Sequence, residues 1–105
     1  MDNSQFNKGL IELCVLTLVK QKDRYGYELI ELISKAITIS EGSVYPILRR
    51  LTKEGCFETY LLESTTGPPR KYYKTTKLGR SKAEKMTTEW NDIIKNVSLL
   101  MKGDE

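Results

Sequence analysis

Residues 64–69 read STTGPP, and this stretch restricts the fold of the chain more strongly than any other. Proline fixes φ and has no backbone N–H, so neither a helix nor a central strand runs through two consecutive prolines. We therefore predict a β-hairpin with a long tip at residues 64–69, between strands at residues 56–63 and 71–75. In the first strand, the side chains available to pack inward are Phe57, Tyr60 and Leu62.

Apolar residues recur at helical spacing before and after this hairpin. The spacing predicts four helices, at residues 6–21, 25–35, 41–54 and 77–102. Residues that favour helix ends stand at the boundaries, with Asp23, Ser40 and Thr76 as N-caps and Gly55 after the third helix. We predict a mainly α fold with a small β-hairpin (α+β), one compact unit with segments 1–76 and 77–105.

Two helices carry more apolar surface than one small core requires. The first has two apolar faces, one with Leu10, Leu13, Cys14 and Leu18, the other with Ile11, Val15 and Val19. In the last helix, spacings of 3, 4, 3, 4 and 3 form a heptad seam of Ala83, Met86, Trp90, Ile93, Val97 and Leu100. This seam either covers the domain's own core or joins two copies of the chain.

Length favours the second alternative. A helix over residues 78–102 is about 37 Å long, whereas a domain of the remaining residues is only about 30 Å across. We therefore expect a homodimer with interface residues Leu10, Cys14, Ala83, Met86, Trp90, Ile93, Val97 and Leu100. Trp90 is either an anchor of this interface or, with Met86 and Ile93, part of a slot for a planar hydrophobic small molecule.

Positive charge is concentrated in the middle of the chain. Residues 41–82 carry nine basic and four acidic side chains, whereas residues 1–40 are balanced and residues 83–105 are net acidic. Such a distribution is expected of a surface that meets a polyanion.

The third predicted helix has an apolar stripe and an opposite face rich in hydrogen-bond donors. The stripe is Val44, Ile47, Leu48 and Leu51, and the donor face offers Ser43, Tyr45, Arg49, Arg50 and Lys53. Behind another helix and a tight turn, such a helix fits the DNA major groove, although basic residues on a helix are often only a solvated surface. Pro46, four residues after Gly42, is either a tolerated kink or part of the DNA contact.

The hairpin offers a second basic surface next to this helix. Arg70, Lys71 and Lys74 follow the two prolines, which would stiffen the tip. We expect the helix to contact bases while the hairpin acts as a wing on phosphates or the adjacent minor groove. Tyr72 and Tyr73 must point to opposite faces of their strand, one inward and one outward.

Three blocks of the sequence resemble the PadR family of winged-helix transcriptional regulators: RYGYELIELI at 24–33, SEGSVYPILRRLTKEG at 40–55 and GPPRKYYKTTKLG at 67–79. The resemblance covers roughly residues 8–102 and is to the short branch with one C-terminal helix. It implies a homodimeric repressor that binds a palindromic operator in double-stranded DNA. It also implies a DNA face that includes Tyr25, Tyr45, Arg49, Arg50, Arg70 and Lys71, with Pro46 and Tyr72 beside them.

Other classes of protein are disfavoured. The most apolar stretch, residues 10–19, is shorter than the ~20 residues that span a bilayer, and we recognise no secretion signal, so we expect a cytoplasmic protein without membrane contact. Histidine is absent and Cys14 and Cys56 lack metal-ligand spacing, so we expect no metal, no cofactor and no enzyme. Whether the two thiols have a redox role stays open. The competing prediction is a winged-helix protein-interaction adaptor that does not bind specific DNA.

Overall fold

A computed structural model describes the backbone of residues 4–103 and the side chains of residues 7–103. The outer ends of the predicted segments, residues 1–3 and 104–105, lie outside this description. Within it, seven elements follow in order: α1 (Ser4–Gln21), β1 (Arg24–Tyr25), α2 (Gly26–Ser34), α3 (Glu41–Lys53), β2 (Phe57–Ser64), β3 (Gly67–Thr75) and α4 (Lys77–Met101). The four helices and three-stranded antiparallel sheet of the described residues confirm the predicted α+β class.

The hydrophobic core lies between the first three helices, the base of the sheet and the start of α4. Each large aliphatic side chain removed from water there stabilises the fold by about 1.5–3 kcal/mol. The helices bury the apolar faces that the sequence indicates: Ile11, Val15, Leu16 and Val19 in α1, Leu29, Ile30 and Ile33 in α2, and Val44, Ile47, Leu48 and Leu51 in α3.

Two of the predicted helix ends have the expected geometry and one has it in part. Gly55 follows α3 with φ +90°, a conformation that glycine adopts without steric cost. Thr76 caps α4, since its Oγ1 accepts a hydrogen bond from the N–H of Gly79 at 3.1 Å. Ser40 precedes α3 as predicted, but its side chain caps no helix N–H, and its carbonyl accepts from the N–H of Ser43 at 3.1 Å instead.

The start of α2 differs from the prediction. Asp23 is not its N-cap, because Arg24 and Tyr25 form the short strand β1 and Tyr25 takes the cap position. β1 pairs antiparallel with Tyr73 and Tyr72 of β3. A strand of two residues is too short to show an alternating pattern in the sequence, so this element emerges only from the pairing.

The tip of the hairpin is shorter than predicted. β3 begins at Gly67 and includes Pro68 and Pro69, so only two residues separate it from the end of β2. The register is irregular between Leu62 and Ser64, opposite the prolines. Since a proline has no N–H to donate to a ladder, a shift of register is expected there.

One face of β2 packs inward, and it is not the set that we predict from the sequence. Phe57 is buried, but Tyr60 and Leu62 are 40% and 51% exposed. Successive side chains of a strand point to opposite faces, so residues three and five positions after Phe57 cannot lie on the same face as Phe57. Tyr60 and Leu62 therefore lie on the outer face of the sheet.

The first part of α4 packs into the core of its own chain, and its second part lines a groove with α1. Ala83 is fully buried in the core there, so its assignment to a dimer interface is wrong: the chain itself covers it. All side chains at positions 88–103 are exposed, and the described molecule measures 60 × 32 × 20 Å, so the predicted overhang of the last helix is confirmed. Within residues 4–103, no helix combines the length and the apolar character needed to cross a membrane.

Candidate nucleic-acid interface

The outer face of α3 presents most of the predicted donors. Tyr45, Pro46, Arg49 and Lys53 are exposed, and Ser43 is half-buried with its Oγ donating to the carbonyl of Ser40 at 2.6 Å. This face points away from the core because the apolar stripe of the same helix is buried.

Tyr45 is held in place by a glycine of the preceding helix. A Cβ at Gly26 would stand only 2.7 Å from Cε1 of the Tyr45 ring, so no larger residue fits without moving the ring. The ring therefore contacts the first turn of α2 directly. Since α2 and α3 are joined by a short turn, this contact fixes how the two helices of the helix-turn-helix meet.

Arg50 is engaged within the protein. Its Nη2 donates to Oε1 of Glu12 at 2.6 Å and its Nη1 to Oε2 of Glu54 at 3.2 Å. Lys82 approaches both carboxylates at 3.3 Å. The hydrogen bond from Arg50 lowers the pKa of Glu54, and the hydrogen bond to Glu12 raises the pKa of Arg50. Arg50 thus links α3 to α1 and α4, and these contacts give it a structural role within the protein.

The strand β3 divides its side chains between two faces, as predicted. Arg70, Tyr72 and Lys74 lie on the outer face of the sheet, and Tyr73 is buried on the inner face. The ring of Tyr73 meets that of Phe57 edge to face, with centroids 6.1 Å apart. Burial raises the pKa of Tyr73. This inner contact attaches the wing, β2 and β3, to the core.

Three tyrosines stack across the outer face of the sheet. Tyr72 lies between Tyr25 and Tyr60, with ring centroids at 5.4 Å and 5.6 Å. The guanidinium carbon of Arg70 stands 4.6 Å from the centroid of the Tyr25 ring, within the range of a cation–π contact. Of the two tyrosines predicted near the DNA face, Tyr25 therefore packs against an exposed arginine, and Tyr72 packs against Tyr25.

A cleft of about 550 Å³ separates the wing from the first turns of α2 and α3. It brings together Tyr25 and Tyr45 with the wing residues 68–71, which are far apart in the sequence. Among residues 7–103, the basic side chains of this region take part in none of the ion pairs: Arg49, Lys53, Arg70, Lys71 and Lys74. Arg70 and Lys71 line the cleft together with Glu31, while the other three cations lie outside it on α3 and β3. Cations without acidic partners on neighbouring elements form a surface for phosphates.

A second concavity, of about 470 Å³, lies between α1 and α4. It gathers five of the predicted interface residues, Leu10, Met86, Trp90, Ile93 and Val97, together with Gly9, Leu13, Glu89 and Ile94. Leu100 lies beyond it and is 80% exposed, while Cys14 is half-buried against the core. Both cysteines are free thiols, and burial raises the pKa of each.

Several residues of these surfaces escape sequence analysis. Ile94, one turn after Trp90, has a detectable signal, since it falls at helical spacing beside the seam. Gly26 gives no such signal, because its need for space depends on a ring that belongs to another helix. The same holds for Asp23, whose Oδ2 accepts a hydrogen bond from the hydroxyl of Tyr60 at 2.7 Å across the sheet.

A donor-bearing helix behind a helix and a turn, next to a basic two-stranded wing, defines a winged helix-turn-helix protein of the DNA-binding class. Comparison with known proteins leads to the same class. The profile of the transcriptional regulator PadR-like family matches residues 15–85, from α1 to the first part of α4.

Individual relatives extend the likeness over almost the whole chain. A PadR-like transcriptional regulator from Bacillus cereus, known from a crystal structure, is 38% identical, with a TM-score of 0.85 over 95% of this chain and 99% of that one. A Streptococcus transcriptional regulator is 35% identical, with a TM-score of 0.83 over 92% of this chain and 97% of that one. An uncharacterised protein of Lysinibacillus sphaericus is 33% identical over 100% of both chains.

The chain therefore belongs to the PadR-like family of transcriptional regulators, as its three sequence blocks indicate. Members of this family are DNA-binding regulators and not enzymes. The prediction of a DNA-binding transcriptional regulator without catalytic activity is thereby confirmed at the level of the family.

Proposed function

We propose that this protein is a cytoplasmic homodimeric repressor that binds a palindromic operator. The observation that carries the proposal is the exposed apolar surface of the second half of α4. Seven large apolar side chains there are between 36% and 81% exposed: Trp90, Ile93, Ile94, Val97, Leu99, Leu100 and Met101. A continuous surface of this kind on a small protein marks an interaction site.

The groove between α1 and α4 supports a second copy of the chain as the partner. Its lining combines the outer face of α1, through Leu10 and Leu13, with the seam of α4. In a two-fold dimer the same patch on both chains covers itself, so one arrangement would bury both projecting helices. The two α3 helices would then be related by the same two-fold axis as the half-sites of a palindrome.

The division of labour at the DNA follows from the two elements. We assign base readout to the donors of α3, Ser43, Tyr45 and Arg49, because side chains of a helix in the major groove reach base edges. We assign phosphate contacts to the wing cations Arg70, Lys71 and Lys74, with Lys53 beside them. Tyr25, Pro46 and Tyr72 complete the surface by shape and packing.

This assignment predicts different defects for Arg49→Ala and Arg70→Ala. Loss of a base contact by Arg49 should relax preference at one base pair of each half-site, by about 1–3 kcal/mol of discrimination. Loss of a phosphate contact by Arg70 should weaken operator and random DNA alike and reduce the slope of log K against log salt by about 0.9 per contact. Fluorescence anisotropy on operator variants over a range of salt concentrations measures both. Equal losses of specificity in the two variants would contradict the division.

The first experiment is binding to the DNA upstream of the protein's own gene, with a shuffled fragment as control, at low and physiological salt. A preference that survives the higher salt supports a specific operator, because nonspecific binding is mostly counterion release. Salt-insensitive capture of a protein partner without DNA retardation would instead favour the adaptor.

The apolar groove also supports a second element of the proposal, release of the repressor by a planar hydrophobic molecule. Trp90, Met86 and Ile93 all line the groove, and a lone tryptophan near a dimer axis offers a flat surface for stacking. In this case Trp90 is an interface anchor that also contacts the effector.

The effector is testable because the chain has one tryptophan. Titration with planar apolar dyes should quench Trp90 fluorescence in a saturable manner and weaken operator binding in parallel. Replacement of Trp90 by alanine removes the optical signal, so calorimetry on that variant serves as the control and should show no binding. Quenching that does not saturate, or that leaves operator affinity unchanged, would contradict an effector site.

A further inference from the structure

The outer ends of the tyrosine stack are held by polar groups of two different kinds. At one end, Arg70 lies over the ring of Tyr25 at 4.6 Å. At the other, the hydroxyl of Tyr60 donates to Oδ2 of Asp23 at 2.7 Å. Tyr72 lies between the two rings, so the five side chains form one continuous arrangement over the sheet.

We propose that Asp23 and Tyr60 are positioning residues for DNA binding: their hydrogen bond locks the tyrosine stack, and the stack holds Arg70 ready for a phosphate. The proposal rests on the phosphate contact of Arg70 described above. Asp23 and Tyr60 act through Arg70 and need no contact with DNA themselves.

The hydrogen bond joins the two outer strands of the sheet. The strand order is β1-β3-β2, so β1 and β2 are not paired with each other. Outer strands of a three-stranded sheet lie about 10 Å apart, because neighbouring strands are separated by 4.7–4.9 Å. Tyr60 on β2 reaches over this distance to Asp23, which directly precedes β1. The bond therefore closes the stack from one edge of the sheet to the other.

β1 needs such a tie because it is so short. It consists of Arg24 and Tyr25 only. The side chain of Arg24 fastens the strand to α1, since its Nε donates to the carbonyl of Leu18 at 3.1 Å. On the outer face, the corresponding anchor is the contact between Asp23 and Tyr60.

The same tie connects the wing to the base-reading helix. Tyr25 is followed at once by Gly26, the residue on which the ring of Tyr45 lies. A shift of the wing relative to β1 would thus move Arg70 relative to Tyr45, while Tyr45 keeps its contact with Gly26 of α2. Arg70 and Tyr45, both lining the cleft, keep a fixed separation only while β1 is fixed. Pre-ordered contacts lose less entropy when DNA binds.

The ionisation of Tyr60 agrees with this geometry. A tyrosine hydroxyl keeps its proton at neutral pH and can donate, and the hydrogen bond to the Asp23 carboxylate raises the pKa of Tyr60 further. Because the Tyr60 side chain is 40% exposed, water competes for the bond, and its loss should leave the melting temperature of the free protein within about 4 °C.

The charge of Asp23 allows a test in which the two explanations predict opposite changes in operator affinity. Asp23 is an acid next to a basic surface, so its removal alone should strengthen binding to a polyanion. The positioning role predicts the opposite, that Asp23→Ala weakens operator binding. Asp92→Ala is the matched control: it removes the same charge from the projecting part of α4, where Asp92 is exposed.

The decisive experiment is a double-mutant cycle on the operator fragment. We expect Tyr60→Phe, which removes only the hydroxyl, and Asp23→Ala each to weaken binding about 3- to 10-fold, the double variant being no worse than either. In the Arg70→Ala background, Tyr60→Phe should change affinity by less than a factor of 1.5, as a rough limit for independent effects. If Tyr60 only supported the fold, Tyr60→Phe would lower the affinity for the operator equally in the wild-type and the Arg70→Ala backgrounds. That result would overturn the proposal.

An NMR measurement on the free protein separates this proposal from the function on which it rests. The side-chain protons of Arg70 lie over an aromatic ring and should be shifted upfield, and Tyr60→Phe should reduce that shift. Arg70 signals that do not change in Tyr60→Phe would overturn the positioning role while the repressor function stands. The same holds if Asp23→Ala binds the operator more tightly than wild type, to the same extent as Asp92→Ala. Failure of the wild-type protein to bind DNA at all would overturn both.

Discussion

Replacing Val97 by glutamate is expected to convert the proposed dimer into monomers and to weaken operator binding by about 10²–10⁴-fold. Val97 is 42% exposed and lies beyond the part of α4 that the chain's own core covers. In the single chain the new carboxylate would therefore meet water. In a dimer the carboxylate would be buried in an apolar groove without a cationic partner. Burial of such an unpaired charge costs roughly several kcal/mol, which opposes dimer formation.

The DNA defect follows from the loss of one half-site contact. A dimer holds two recognition helices on one operator, so the second contact is made at high effective concentration. A monomer binds each half-site alone. Sedimentation or light scattering gives the mass of the variant, and anisotropy gives its affinity for the operator.

Thr88→Glu is the matched control for this experiment. Thr88 is exposed on the same helix, and nine residues correspond to two and a half turns, so it faces away from Val97. It introduces the same charge and should leave both mass and affinity unchanged. A Val97→Glu protein that stays dimeric, with wild-type affinity, would show that α4 is not the dimer contact.

Replacing Gly79 by alanine should destabilise the fold by about 3 kcal/mol, at the upper end of the cost of overpacking. A Cβ at this position would overlap the carbonyl oxygen of Cys56 and stand 2.8 Å from Oγ1 of Thr75. The first of these is backbone, which cannot rotate away. The start of α4 would have to move off the sheet and disturb the Thr76 cap, whose Oγ1 bonds the N–H of Gly79.

Thermal and urea unfolding followed by circular dichroism measure the effect. For a domain of this size the expected loss corresponds to a fall in Tm of roughly 12–24 °C. Gly42→Ala is the control, since Gly42 is also helical and its nearest neighbour is Oγ of Ser40 at 3.9 Å. It should stabilise the protein by up to about 1 kcal/mol. A fall in Tm below about 4 °C for Gly79→Ala would mean that α4 adapts.

Features governed by neighbours in the sequence could be predicted well. The buried stripe of α3, the conformation of Gly55 and the cap at Thr76 all agree with prediction, because each depends on contacts within four residues along the chain. The projecting part of α4 was also predictable, since the length of a helix follows from its number of residues.

Features that depend on pairing between distant segments could not be predicted in this way. The alternation in β2 is weak, so the sequence does not show that Tyr60 and Leu62 leave the core. The sequence places Arg50 on the donor face of α3, but it does not show the ion pair of Arg50 with Glu12, which lies in another helix 38 residues away.

By itself, the sequence determined the helices, the presence of a β-hairpin, the basic middle of the chain and the family, because these depend on composition and local spacing. Only the tertiary structure decided which basic side chains form ion pairs with the protein's own carboxylates, as Arg50 does, and which do not. It also decided that Asp23 meets Tyr60 and that Tyr45 rests on Gly26. Such contacts join residues far apart in the chain, and the packing of whole elements alone brings them within reach.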